Sequence, residues 1–311
     1  MRNILITGGA GYIGSVLVEH LLSKGHRVTV IDNFLYNENS LATYCSNLRF
    51  NVEKCDVRAL EKLRPLLAEA DIIIPLAALV GAPLCEADPF NATSTNNSAI
   101  LEMLKLLSKD QLVIMPTTNS AYGSGNLENY CDEQSPLNPL SRYAVDKVEV
   151  EQALMSRENS ISLRLATVFG MSPRMRTDLL VNNFVYRALT DGYVLLYQGH
   201  FKRNYIHVSD VCRAFVHAID SADRMAGEIY NVGLSEANVS KLELCELIKS
   251  RIPAFNYITD DYASDPDQRN YIVSNDKIEK TGFIPKTSLQ MGIVELAKGL
   301  RTLKNIRYSN I

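Results

Sequence analysis

Tyr143 and Lys147 stand four residues apart in SRYAVDKVEVEQAL, a helical pattern that turns both side chains to one face. A phenol has an ordinary pKa of about 10, so ionising it near neutral pH needs roughly 4 kcal/mol of differential stabilisation. A cation ~5 Å away supplies about 3 kcal/mol at an effective dielectric near 20, an upper-end figure for a wet site. Lys147 and a second positive charge from a bound group could together make Tyr143 a general base toward a hydroxyl. Tyr-x-x-x-Lys also arises by chance on surface helices, so a second feature is needed. TTNSAYG at 117–123 provides it, directly after an apolar run at 111–115 that reads as a strand. A hydroxyl at the carboxyl end of such a strand lies where open α/β sheets bind ligands. Thr118 is the candidate to hold a substrate oxygen; its neighbours could equally be simple turn formers.

The opening stretch offers a partner for that base. Residues 2–6 read as a strand running into TGGAGYIGS at 7–15, which opens a helical pattern. Gly8, Gly11 and Gly14 allow a tight turn and close approach to a pyrophosphate, which the helix N-terminus also favours. No Gly-Lys-Ser/Thr follows, so a nucleoside-triphosphate loop is disfavoured. A second strand ends at Asp32, eighteen residues beyond Gly14. A carboxylate there accepts hydrogen bonds from ribose hydroxyls and repels a 2′-phosphate, favouring NAD over NADP. Asn33 follows, and no arginine next to Asp32 offers a phosphate clamp. Asp56-Val57, after a third strand, could hold the adenine edge. The positive nicotinamide ring is then the second charge that helps ionise Tyr143.

The elements needed to position these groups are legible as alternation. Strands are expected at 2–6, 28–31, 48–52, 72–75, 111–115 and 161–165, with helices between them near 60–69, 95–108 and 140–156. Ile13, Leu17 and Leu21 share one face of the first helix, and Gly25 is placed as its C-cap. Repeated strand and helix imply a parallel sheet covered on both faces. After Gly170 the alternation loosens through SPRMRTD into a helix near 178–191. Then come a strand at 204–208, a helix at 209–220, a strand at 228–232, a helix at 240–251, a polar loop-like stretch at 259–270 and a helix near 288–304. The expected fold is α/β, a Rossmann-type doubly wound parallel sheet with a smaller C-terminal α/β substrate-binding domain. The expected division is 1–170 for NAD and 171–311 for substrate, with some later segments returning to the sheet.

Bulk properties narrow the function. The 311 residues are 46% hydrophobic and 22% charged, enough for a full core without metal or disulfide support. A net charge of −3 with mixed signs argues against nucleic acid or anionic membrane as the main partner. Six cysteines form no C-x-x-C pair and five histidines no metal motif, so no metal is expected. The apolar opening is interrupted by glycines and lacks a cleavage-like site, and no run spans a bilayer. A soluble, cytoplasmic protein is expected.

These stretches together resemble the extended short-chain dehydrogenase/reductase family, in its NAD-dependent nucleotide-sugar epimerase/dehydratase branch. The resemblance rests on TGGAGYIGS, DN at 32–33, CDVRAL at 55–60, LAA at 76–78, TTNSAYG, YAVDK, LRLATVFG, RNYIHVSDV and IYNVG, in order over most of the chain. It implies Thr118, Tyr143 and Lys147 as the catalytic triad. It implies Gly8, Gly11, Tyr12, Ile13, Gly14, Asp32, Asn33, Asp56, Val57, Leu76, Ala77, Ala78 and Asn96 around the cofactor, with Tyr143 and Lys147. Asn183 and Arg203 match positions facing a sugar-nucleotide diphosphate, and Arg269 stands in for a phosphate-binding arginine where Ser264 departs from the pattern. Helices 95–108 and 140–156 resemble the pair through which relatives form homodimers.

The departures bear on the reaction. Dehydratases of this branch carry an Asp-Glu pair after the catalytic threonine; Asn119 and Ser120 occupy those places and cannot act as acid and base near neutral pH. Pro75, Thr167 and Phe169 also depart from the usual pattern. A 4,6-dehydratase is disfavoured, leaving C4 oxidation as the expected step, ending as a 4-epimerase or a net 4-dehydrogenase. LAALVGAPLCEADP and MRTDLLVNNFV resemble bacterial surface-polysaccharide enzymes, including the GDP-heptose C4 dehydrogenases of capsule pathways. A non-catalytic NAD-binding sensor is the alternative from another class, opposed by the intact Thr118, Tyr143 and Lys147. A reductase of small carbonyl compounds is a third, opposed by the length after residue 170.

Overall fold

The protein, seen in a computed structural model, is described over residues 1–36, 38–123, 130–260 and 270–303. Its main sheet has seven strands, all paired in parallel. In spatial order they are Glu228–Val232, Ser160–Leu165, Leu112–Thr118, Ile72–Pro75, Asn3–Thr7, Arg27–Asp32 and Phe50–Lys54. The central strands read ILIT, IIIP and LVIMPTT because both of their faces are buried. Ile4, Ile6, Val30, Ile74 and Ile114 pack against the helices Tyr12–Ser23 and Val208–Asp220. Leu5, Ile31, Ile73, Val113 and Met115 face the helices Leu60–Glu69, Ala99–Leu106 and Arg142–Leu154. The Rossmann-type doubly wound sheet expected from the alternation is therefore present. Asn3–Thr7 has the second strand on one side and the fourth on the other, which opens a crevice above its carboxyl end.

Local signals hold at the first helix. Gly25 has φ +85, and its N–H donates to Leu22 O at 3.0 Å, closing the helix where a side chain would be strained. The helix expected at 95–108 is instead Pro89–Thr93, a π segment at Ser94–Ser98 and Ala99–Leu106. The polar STNNS run leaves regular helix because Asn96 turns inward to bind the loop after the fourth strand. Beyond Gly170, Glu228–Val232 pairs with Ser160–Leu165 and so extends the main sheet. Lys202–His207 lies between Thr167–Phe169 and Asn238–Ser240, while Tyr193–Tyr197 pairs with Asn256–Asp260. Apart from Lys202–His207, these short strands carry little pattern of their own; partners distant in sequence define them, so 259–270 reads as loop although the strand runs to Asp260.

A buried ion pair ties the sheet to the helix Arg142–Leu154. Glu151 accepts from Arg164 Nη2 at 2.6 Å, Ser162 Oγ at 2.6 Å and Thr117 Oγ1 at 2.9 Å. Arg164 Nη1 continues to Tyr122 Oη at 3.0 Å, which donates to Asn231 Oδ1 at 2.8 Å. One carboxylate thus fixes that helix against two neighbouring strands, and the network reaches a third. Among the described residues no helix is long and apolar enough to cross a membrane, and no cluster of three or more His, Cys, Asp or Glu could hold a metal.

Candidate active site

A cleft of about 1150 Å³ lies along the carboxyl ends of these strands. That exceeds the ~300–1,000 Å³ usual for one small ligand, leaving room for two molecules side by side. Thr118, Tyr143 and Lys147 all line it. Ser141 caps the helix Arg142–Leu154 by accepting from Ala144 N at 3.3 Å, so Tyr143 falls in the first turn. Its half-buried ring packs on Leu79, Cys85 and Ala92. Lys147, one turn later, is 2% exposed with Nζ 5.9 Å from the Tyr143 ring centroid. Thr118 ends its strand, and its Oγ1 accepts from Ser120 N at 3.1 Å.

Burial pulls the Lys147 ammonium down to about 8, against the opposing charges of Asp146 and Cys85. From 10.5 to about 8 is an electrostatic cost of about 3 kcal/mol to the folded state at neutral pH. The cost is complete below pH 8. Between there and pH 10.5 the unfolded chain keeps a proton that the folded one has lost, so stability rises with pH. Lys147→Met is therefore expected to stabilise the cofactor-free protein by about 3 kcal/mol at pH 7, falling to about 1 kcal/mol at pH 9.5, while abolishing turnover. Urea unfolding at the two pH values measures this; a variant less stable than the parent at both would refute it.

The residues fit a dinucleotide. Gly8 has φ +70, and a Cβ there would stand 2.5 Å from Ala77 N, so nothing larger than glycine fits the turn. A Cβ on Gly14 would meet Gly9 Cα at 2.5 Å. The helix Tyr12–Ser23 begins at Gly11 with no side-chain cap and no acid in its first turn, leaving its N–H groups for an anion. Asp32 accepts from Ala10 N at 3.0 Å and Phe34 N at 2.8 Å. Burial raises its pKa, while those two N–H groups and Arg174 oppose the rise. Both carboxylate oxygens keep capacity for ribose hydroxyls.

Gly11, Ile13, Asn33, Val57, Leu76, Ala77 and Ala78 line the same cleft. Asp56 does too, its carboxyl held low by hydrogen bonds from Arg58. Tyr12 lines it as well, while its hydroxyl donates to Gly170 O at 2.7 Å and accepts from Asn182. Two residues stand differently from the sequence reading. Asn96 is fully buried and grips Leu79 N and O, each at 2.8 Å, so it shapes the loop after the fourth strand from behind. Asn183 is not among the lining residues, and its amide donates to Thr177 O at 3.1 Å. Arg203 lines the cleft and is 3% exposed; Arg269 lies outside the described residues. Sequence reasoning passed over Arg174, Arg176 and Asp178, which also line the cleft. Arg176 pairs with Asp178, its Nε 3.2 Å from Oδ1. Two arginines in SPRMRTD, just past a strand end, were the available signal.

The NAD dependent epimerase/dehydratase family matches residues 4–233. UDP-glucuronic acid decarboxylase 1 of Arabidopsis thaliana is 30% identical over 96% of this chain and 69% of its own length. UDP-glucuronic acid 4-epimerase from Bacillus cereus, solved with UDP-glucuronic acid and NAD, superposes with a TM-score of 0.86 at 23% identity, covering 96% of this chain and 99% of that one. UDP-glucose 4-epimerase from Thermotoga maritima, solved with UDP-glucose, gives 0.82 at 26% identity over 96% and 98%. With a glycine turn, an acid after the second strand and a Tyr–Lys pair in one cleft, this chain belongs to the NAD dependent epimerase/dehydratase family and is an enzyme with NAD as its cofactor.

Proposed function

We propose that the protein oxidises the C4 hydroxyl of a nucleotide-linked sugar during the cytoplasmic synthesis of surface-polysaccharide precursors. The observation that carries the reading is the meeting of Thr118, Tyr143 and Lys147 in a cleft with room for two large ligands. Thr118 holds the sugar oxygen, Tyr143 takes its proton, and Lys147 keeps the phenolate charge low in energy. NAD, held by the glycine turn and Asp32, supplies the hydride acceptor. Arg203 faces the diphosphate of the substrate.

Elimination of water after oxidation needs an acid beside C6. Asn119 is buried out of the lining and Ser120 is a hydroxyl, so neither serves. Asp178 is engaged by Arg176. The keto sugar then either leaves, as in a 4-dehydrogenase, or is reduced on its other face, as in a 4-epimerase. GDP-heptose is the donor favoured by LAALVGAPLCEADP and MRTDLLVNNFV. A UDP-linked uronic acid is the second reading, supported by the buried Arg176 and Arg203 and by the substrates named for the relatives. The working assembly is a homodimer through the helices at 89–106 and 142–154, beside which Phe90 is exposed.

The test is chromatography that resolves C4 epimers, coupled to mass spectrometry, of the protein mixed with a panel of UDP-, GDP- and dTDP-sugars, with released cofactor examined in the same run. A keto sugar or C4 epimer from one donor is expected. No product and no cofactor reduction with any donor would overturn the reading.

A further inference from the structure

A dinucleotide brings two phosphate charges to a glycine turn that holds no basic side chain. Among the described residues, five cations line the cleft: Arg58, Lys147, Arg174, Arg176 and Arg203. Arg58 is bound to Asp56 and Arg176 to Asp178, while Lys147 stands beside Tyr143. Arg203 belongs to the small sheet after residue 170, on the side assigned above to substrate. Arg174 is different. The residue is 2% exposed, its guanidinium stacks on Tyr36 at 4.0 Å, and its Nε forms a long ion pair with Glu38 Oε1 at 3.5 Å. Nη1 donates to Met175 O, yet Nε and Nη2 are buried without a hydrogen-bond partner, as are Tyr36 Oη and Glu38 Oε2. An open guanidinium fork in a buried site is costly unless a ligand completes it.

Its position identifies that ligand. The segment carrying Arg174 is pinned to the glycine turn: Tyr12 Oη donates to Gly170 O, and Ser172 Oγ donates to Tyr12 O at 2.7 Å and meets Ser15 Oγ at 3.0 Å. The same guanidinium acts electrostatically on Asp32. Arg174 therefore follows a segment held against the phosphate turn, lines the same cleft and acts on the ribose acid, reaching from the other half of the chain. We propose that Arg174 is a cofactor-binding residue whose Nε and Nη2 groups, which make no hydrogen bond within the chain, bind the pyrophosphate of NAD, with the Tyr36 ring and the Glu38 ion pair holding the fork ready. This rests on the NAD site described above. It gives SPRMRTD a second role besides substrate contact and makes release of the cofactor depend on that loop.

The experiment compares binding of NAD, ADP and adenosine to the intact protein and to Arg174→Met, Arg174→Lys and Asp32→Ala, by calorimetry, alongside the NAD retained on purification. Arg174→Met is expected to weaken NAD and ADP by about tenfold to a hundredfold, the worth of one charge-assisted hydrogen bond, with adenosine unchanged. Arg174→Lys keeps the charge but loses the fork and should fall between. Should Arg174→Met not fold, Arg174→Lys decides alone, through a loss confined to NAD and ADP. Equal losses for ADP and adenosine, or none, overturn the proposal. If Asp32→Ala also leaves NAD binding unchanged, the cofactor site itself is wrongly assigned, a separate failure.

Discussion

Tyr143→Phe is expected to lower turnover by about three orders of magnitude while the protein still folds and binds NAD. Phenylalanine keeps the ring that packs on Leu79, Cys85 and Ala92, so the helix Arg142–Leu154 should retain its place. Only the proton acceptor is lost. Lys147 would remain buried beside an apolar ring and, already protonated at neutral pH, could not take the proton itself. The measurement is keto sugar or C4 epimer formed from whichever donor the panel identifies, together with the NAD content of the purified variant. Retention of more than a tenth of the parent rate would remove Tyr143 from the mechanism. It would also reopen the alternative of a protein that only senses the dinucleotide.

Glu151→Ala is expected to cost about 3–5 kcal/mol of stability, because it leaves Arg164 charged and unpaired in the interior. Thr117, Ser162 and Arg164 all lose their shared acceptor at once. Thr117 precedes Thr118, so the surviving folded population should also show a raised KM from a displaced substrate oxygen site. The double variant Glu151→Leu/Arg164→Met removes both charges and should recover most of the stability, since the penalty lies in the orphaned partner. Urea denaturation of parent, single and double variants reads this directly. A single variant within 1 kcal/mol of the parent would mean that the pair does not hold helix to sheet.

Much of the site could be read from contiguous residues. Gly8, Gly11, Gly14 and Asp32 belong to one strand–turn–helix–strand unit, and Tyr143 with Lys147 to one helical turn; local backbone geometry is enough to bring each set together. Thr118 needed only the rule that strand ends carry ligands. Arg174 was hidden because its meaning depends on Tyr36 and Glu38, more than a hundred residues earlier in the chain. Asn96 looked like a cofactor contact, yet from the π segment it bonds the backbone of Leu79. Of the strands after Gly170, Lys202–His207 and Glu228–Val232 were legible, while Tyr193–Tyr197, Asn238–Ser240 and Asn256–Asp260 were missed for a related reason, since three to five residues without alternation acquire their state from a neighbour.

By itself, then, the sequence determined the order of the scaffold and the residues placed to do chemistry on it: a glycine turn before a helix, an acid after the second strand, a Tyr–Lys pair one helical turn apart, and strands buried on both faces. Those follow from spacing along the chain and from side-chain periodicity, which are short-range properties. The tertiary structure alone decided that Glu151 and Arg164 lock the helix Arg142–Leu154 to its strands, that Lys147 is buried deeply enough to lose part of its basicity, and that two arginines from the loop after Gly170 reach the cleft. Desolvation and charge pairing act between groups brought close by folding, and no pattern along the chain measures that distance.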